Sequence, residues 1–272
     1  MIERDTRGSD LHPLQAFTYG SASPNMTLIW MWHGQMERLQ HWCPDNHQAP
    51  RDIFQGPILI SGSTTQPWIQ YAAESRHALI AAFRPSALRE LFGIDPSDWI
   101  DRIEPLQDSG IDVSSIEWAQ QILAARNSDK ALPLLYEGLI QRFNTLNNQP
   151  QATAKTAPMR TSHWLRWLQQ QTSTSSLRSL QRLIKQATGT TVRQLGRFIR
   201  LEELGVMITK GHVHPGSSRN QADLAAAAGF SDQAHMAREV KETAGFSPGE
   251  AFCRFFQYES FWLYRAVMGL HR

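Results

Sequence analysis

Four residues at helical spacing, Arg178, Gln181, Arg182 and Lys185, end in hydrogen-bond donors, and Leu180, Leu183, Ile184 and Ala187 form the apolar stripe of the same helix. A second set, Gln233, His235, Arg238 and Lys241, accompanies the apolar row Met236, Val240 and Ala244. Such side chains donate to phosphate oxygens and to base edges in a major groove, so the chemistry on offer is nucleic-acid recognition. Met once, a basic helix face reads most simply as a solvated surface. These two are copies: the stretches beginning at Leu168 and Leu224 align without a gap at an offset of 56 residues, with Leu168/Leu224, Ser175/Ser231, Arg182/Arg238, Lys185/Lys241 and Gly189/Gly245 identical. Repetition of a helical unit favours a tandem reader.

The second copy has the sequence of a helix-turn-helix. Its alanine-rich run Leu224 to Ala228 is a strong helix former, and Gly229 sits where a helix ends in a left-handed residue. Ser231 or Asp232 can cap the next helix, which Gly245 and Pro248 stop. An exposed helix after a tight turn is the geometry of a recognition helix. The first copy carries more long donors but has Ser173, in TSTSS, where the second has Gly229, so its backbone reaches the same left-handed turn less easily.

Between the copies, Val192 to about Thr209 carries apolar residues at helical spacing and predicts a connecting helix of about 18 residues, ~27 Å long. Recognition helices in consecutive major grooves lie ~34 Å apart, a separation that such a helix and its flanks can hold. Arg193, Arg197 and Arg200 share one side of it and, with Lys185 and Lys241, are the candidate phosphate contacts, although packing or solvation is as natural a role for an exposed arginine. Charge agrees with the motif: residues 155–272 hold 16 Lys+Arg against 8 Asp+Glu, a net +8, whereas residues 1–154 hold 11 against 17, a net −6. A basic half beside an acidic one points to a polyanion partner for the former.

The residues AAGFSDQAHMAREVKETAGFSPGEAF, with SLRSLQRLIKQATG and RQLGRFIRLEELG before them, resemble the duplicated DNA-binding region of AraC/XylS-type bacterial transcription regulators, over about Met159 to Phe252. Upstream, GPILISGSTTQPWIQ and HALIAAFRPSALRELFGID are more loosely similar to the sensor-like N-terminal domain of one subgroup of that family. The resemblance implies that Arg178, Gln181 and Arg182 face bases in the first unit and Gln233, Ala234, His235 and Arg238 in the second. Ala234 can offer only an apolar contact.

The expected fold class is α+β: a β-rich N-terminal domain with flanking helices, joined to an all-α C-terminal domain of two helix-turn-helix units and a connecting helix. The expected domains are 1–146 and 159–272, with residues 147–158 as a linker in the Asn-, Gln-, Thr-, Ala- and Pro-rich stretch NTLNNQPQATAKTAP. Short runs over Leu14 to Tyr19, Met26 to Trp32, Ile58 to Ser61, Trp68 to Tyr71 and Ala78 to Phe83 predict strands, followed by a helix opened by Pro85 and by two more over Ile116 to Arg126 and Ala131 to Phe143. Trp30, Trp32, Trp68, Tyr71 and Phe83 read as core more readily than as an effector pocket. The aromatic stretch FCRFFQYESFWLYRAVM reads as a closing helix packed on one of the domains.

Catalytic chemistry has no foothold here. The chain lacks a phosphate loop, a G-x-G-x-x-G and an H-E-x-x-H, and no enzyme activity and no cofactor are expected. His33, His41, Cys43 and His47 cluster in sequence, but H-x-C-x-x-x-H matches no common four-ligand zinc module, and no metal is expected there. His212 and His214 fall in a Gly/Ser-rich connection. Two cysteines are too few for a disulfide framework, and the absence of a signal-like start predicts a cytoplasmic protein. The expected partner is double-stranded DNA at bacterial promoters. RNA polymerase, a small-molecule effector and a second copy of the chain are further candidates, the last two through the N-terminal domain, with no membrane. The alternative is a small-molecule-binding or enzymatic N-terminal domain whose helical C-terminal region serves protein contacts.

Overall fold

A computed structural model of the chain describes residues 1–9, 16–44, 46, 48–72, 74–84, 86–147, 177–209, 218–255 and 257–267. Nine strands come first: β1 (Ile2–Asp5), β2 (Phe17–Gly20), β3 (Met26–His33), β4 (Met36–Leu39), β5 (Arg51–Phe54), β6 (Ile58–Ser61), β7 (Trp68–Tyr71), β8 (His77–Phe83) and β9 (Ile103–Pro105). They form two antiparallel sheets, β1-β8-β3-β6-β9 and β2-β7-β4-β5. Alternation along β3 assigns the faces of the first sheet. Met26, Leu28 and Trp30 are fully buried toward helices α1 (Ala87–Phe92), α2 (Val113–Ala125) and α3 (Ser128–Asn147), while Ile29 and Met31 turn to Met36 and Phe54 of the second sheet. Two indoles anchor the helices: Trp30 Nε1 donates to the Ala119 carbonyl at 2.9 Å and Trp118 Nε1 to that of Leu134 at 3.0 Å. A buried N–H without such a partner would cost about 1–3 kcal/mol.

Five of the strands lie where the sequence patterns place them; β1, β4, β5 and β9 do not come from those patterns. IERD, MERL and RDIF carry charges that break the apolar run, and the fold accommodates them by pairing. Glu37 of β4 is buried but accepts from Arg51 of β5 at 2.9 Å and from Gln35. Pro85, the start of the predicted Leu14–Tyr19 strand and residues 148–158 of the expected linker lie outside the described residues.

The C-terminal helices are α4 (Leu177–Thr188), α5 (Val192–Thr209), α6 (Ser218–Ala227), α7 (Gln233–Ala244), α8 (Pro248–Phe255) and α9 (Trp262–Val267). The connecting helix α5 has the bounds its periodicity predicts, and its two ends serve two cores. Leu195 and Phe198 pack on Ile184 of α4; Leu204 joins Leu224, Phe230, Met236 and Val240 of α6, the turn and α7. The aromatic end of the chain closes on the second sheet, where Phe261 packs with Phe17 and Tyr19 and Trp262 Nε1 donates to Thr18 Oγ1 at 2.9 Å. The chain is thus α+β, with β-rich and helical halves in contact. Among the described residues no helix is long and apolar enough to cross a membrane.

Candidate nucleic-acid interface

The 56-residue offset holds in three dimensions beyond the identities that suggested it. Helices α4 and α7 are both 12 residues long and start 56 apart. Both end at a left-handed glycine, Gly189 at φ 71° and Gly245 at φ 81°, each donating its N–H to a carbonyl four residues back at 2.8 Å. A capping box follows each. Thr191 and Gln194 exchange side chain-to-backbone bonds at the start of α5, each at 3.2 Å, and Ser247 and Glu250 do so at the start of α8, at 3.0 and 3.4 Å. The sequence signal, T-x-x-Q and S-x-x-E at the same offset, was available and extends the repeat past its glycine.

In the first unit, Arg178, Gln181, Arg182 and Lys185 are all exposed on α4, and no salt bridge holds any of the three cations among the described residues. The opposite stripe of Leu180, Leu183, Ile184 and Ala187 is packed against α5 and Ala22. Ser173, in the turn before α4, lies outside the described residues.

The second unit is complete from α6 to α7. Gly229 takes φ 80°, and Asp232 rather than Ser231 caps α7, accepting from the His235 N–H at 2.7 Å. That bond, the first of several, holds the Asp232 carboxyl below its usual range. Gln233, Ala234, Arg238 and Lys241 are exposed, but Gln233 donates to Gln221 of α6 and His235 turns inward. The His235 ring lies edge-on to Phe230, with Nδ1 3.0 Å from Ser231 Oγ and Nε2 3.4 Å from Glu239.

Two arginines of the connecting helix face α7. Arg200 grips the buried Glu239 through Nε and Nη2 at 2.7 and 2.8 Å and lies over the Phe230 ring, while Arg197 donates to Glu242 at 2.6 Å. Burial would push the Glu239 carboxyl up; the Arg200 hydrogen bonds and the charges of Arg200, His235 and Arg197 outweigh it and hold the group below its usual value. Arg193, one turn earlier, is exposed. The three arginines expected on one side of the helix therefore divide, two bracing it against α7 and one facing solvent.

A cavity of about 600 Å³ opens at the edge of the two sheets, with Arg38, Asp52, Phe54, Trp68, Asp101 and Ile103 in its wall. Arg38 is largely withdrawn from water, which lowers its pKa against the opposing pull of Asp101 and Asp52. Trp68 is thus a wall residue, whereas Trp30 is core. His33 and His41 are exposed and Cys43 half-buried; His47, His212 and His214 lie outside the described residues.

Residues 154–254 match the family model described as a helix-turn-helix domain. Among curated proteins no relative matches the chain. Among solved structures it is similar to an apo point variant of ToxT from Vibrio cholerae, at 11% identity and a TM-score of 0.41, over 93% of this chain and 96% of that one. It is also similar to wild-type ToxT from the same organism with an unsaturated fatty acid bound, at 10% identity and a TM-score of 0.36, over 86% and 92%. Neither likeness is close enough to add to what the family match and the helices themselves establish. The duplicated helix, glycine and capping box fall inside the matched segment, and residues 154–254 are an AraC-type helix-turn-helix domain, the DNA-binding module of that class of bacterial transcription regulators.

Proposed function

We propose that the chain is a cytoplasmic, sequence-specific regulator that reads a promoter site with both helix-turn-helix units, rather than an enzyme. One observation carries this reading: two helices in equivalent positions, each ended by a glycine cap and followed by a capping box that starts the next helix, present exposed cations to solvent. Arg178, Gln181 and Arg182 would face bases from α4, and Arg238 from α7, joined by Gln233 and His235 once they leave Gln221 and Glu239; Lys185, Arg193 and Lys241, with Arg197 and Arg200 to the extent their carboxylates release them, would meet phosphates. The domains are 1–146 and 159–272, joined by 147–158. The cavity at the sheet edge is of the size that takes a small molecule, and we assign an effector to it, with RNA polymerase and a second copy of the chain as protein partners.

The test is selection of bound duplexes from a random pool by the full-length protein, followed by titration in increasing salt. A recurrent site with two separated conserved blocks, and an affinity that falls steeply with salt, is the expected result. Recovery of no preferred sequence, or binding indifferent to salt, would leave the helical region as a protein-contact module.

A further inference from the structure

Besides the packing of Phe261 and Trp262 on β2, the N-terminal domain touches the two helix-turn-helix units at three places among the described residues, and two of these are equivalent positions of the repeat. Gly189, the cap of α4, lies against the turn Pro96–Trp99: a Cβ there would sit 2.6 Å from the Pro96 carbonyl oxygen and 3.0 Å from Ser97 Cα. Gly245, the cap of α7, lies against Trp42, whose ring a Cβ would enter. Between them, Ala22 from the turn after β2 is buried with Ile184, Leu195 and Phe198, and its N–H donates to the Thr243 carbonyl in the last turn of α7 at 2.8 Å.

Two of these contact points are tied to each other. Ser23 and Thr64 exchange backbone bonds at 2.9 and 2.8 Å, Asp101 donates its N–H to the Ser63 carbonyl at 2.8 Å, and the Asp101 carboxylate accepts from the Thr65 N–H at 2.6 Å. The loop that carries Ala22 and the turn that carries Pro96 are thereby one body. Trp42 is set by its own ring contacts, 5.8 Å from Tyr19 and 5.0 Å edge-on to Phe246. All three contacts fall at the C-terminal ends of α4 and α7 or on the side facing α5. Base contacts come from the N-terminal part of a recognition helix, and the exposed donors of both helices are left uncovered.

We infer that Trp42, Ala22 and the Pro96–Ser97 turn are positioning residues for DNA reading: the N-terminal domain holds both recognition helices by their glycine caps and so sets the distance between the two half-sites the protein accepts. The connecting helix α5 packs on both units, and a second attachment at their glycine-capped ends further restricts how one unit can move relative to the other. This rests on the proposed DNA-reading function but concerns spacing, which that function leaves open.

Two measurements on the full-length chain test it. In the first, spin labels are placed at the exposed positions 186 and 234 of a chain whose Cys43 and Cys253 are serines, and the distance distribution is measured without DNA. A single narrow distribution that broadens in Trp42→Ala and is restored in Trp42→Phe, which keeps a ring over Gly245, is expected. The same distribution in Trp42→Ala overturns the inference whether or not the protein reads DNA. In the second, duplexes selected by the wild-type chain are rebuilt with one or two base pairs inserted between the half-sites. Wild type should lose about tenfold or more per misregistered insertion, while Trp42→Ala should bind the original site more weakly, discriminate spacing less than about threefold, and recover in Trp42→Phe. A wild-type spacing profile in Trp42→Ala, or tighter binding of the original site, would overturn it, the latter by making the contact a brake. Failure of the wild type to select any site, with the distances behaving as expected, would count against the DNA-reading function alone.

Discussion

The two recognition units share a scaffold and differ in what their helices do with it. Position for position, Leu183 of α4 stands where α7 has Glu239, Ser179 where it has His235, and Gln186 where it has Glu242. The first helix therefore packs on α5 through aliphatic side chains and leaves Arg178, Gln181, Arg182 and Lys185 outside. The second joins an aliphatic row to an ionic brace in which Glu239 and Glu242 take up Arg200 and Arg197, and His235 is drawn in with them. Duplication thus kept the elements that fix a helix in place and released the side chains around them. The first unit has more donors available to DNA; the second is tied more tightly to the connecting helix.

The largest effect expected from this difference is on stability. Arg200→Ala should destabilise the helical domain by about 2–3 kcal/mol, because it leaves the buried Glu239 short of its main partner. Arg182→Ala at the exposed end of the other unit should change stability by less than about 0.5 kcal/mol. Chemical denaturation of both variants checks this, and equal losses would dissolve the contrast. The brace also has a pH signature. Since the folded-state pKa of Glu239 lies below that of the unfolded chain, its stabilisation is complete above the usual carboxylate value and is lost as pH falls through the depressed one. Glu239→Gln should flatten the acid limb of the stability curve in that window.

A second expectation inverts the order. Binding to randomised half-sites should lose about 1–3 kcal/mol of discrimination at one half for Arg182→Ala, and no more than that at the other half for Arg238→Ala. Loss of specificity in Arg238→Ala alone would make the first unit a scaffold. Next in size, Thr191→Ala and Ser247→Ala each remove half of an equivalent capping box and should cost about 1 kcal/mol apiece, read from thermal unfolding. Unequal costs would mean the duplicated ends are held differently. The smallest effect separates the arginines of α5: Arg193→Ala should reduce the salt slope of DNA binding by about one, Arg197→Ala by clearly less, since Arg197 is already occupied by Glu242.

How much of this was legible depended on whether a residue's role is local. The bounds of α5, the left-handed Gly229 and the stop at Gly245 follow from spacing and from glycine's freedom at positive φ, and the structure has them as expected. The brace was half visible: Arg197 and Arg200 stood out as cations, but their partners are about forty residues away and carry no periodic signal. Strands β4 and β5 were hidden for a related reason, since Glu37 becomes a core residue only once Arg51 is laid beside it. Ala22, Trp42 and Pro96 carried no motif at all; they matter through what a folded neighbour brings against them.

The two glycine caps bear on how such a protein changes over generations. Each is constrained twice, by a backbone conformation that side chains resist and by a neighbour that leaves no room for a Cβ, so almost any replacement at Gly189 or Gly245 is penalised on both counts. The exposed donors between them are constrained by neither. If these donors read DNA as proposed, a lineage carrying this fold can drift from one DNA sequence to another through a few surface codons, each change nearly silent for folding, while the geometry that holds the helices stays fixed.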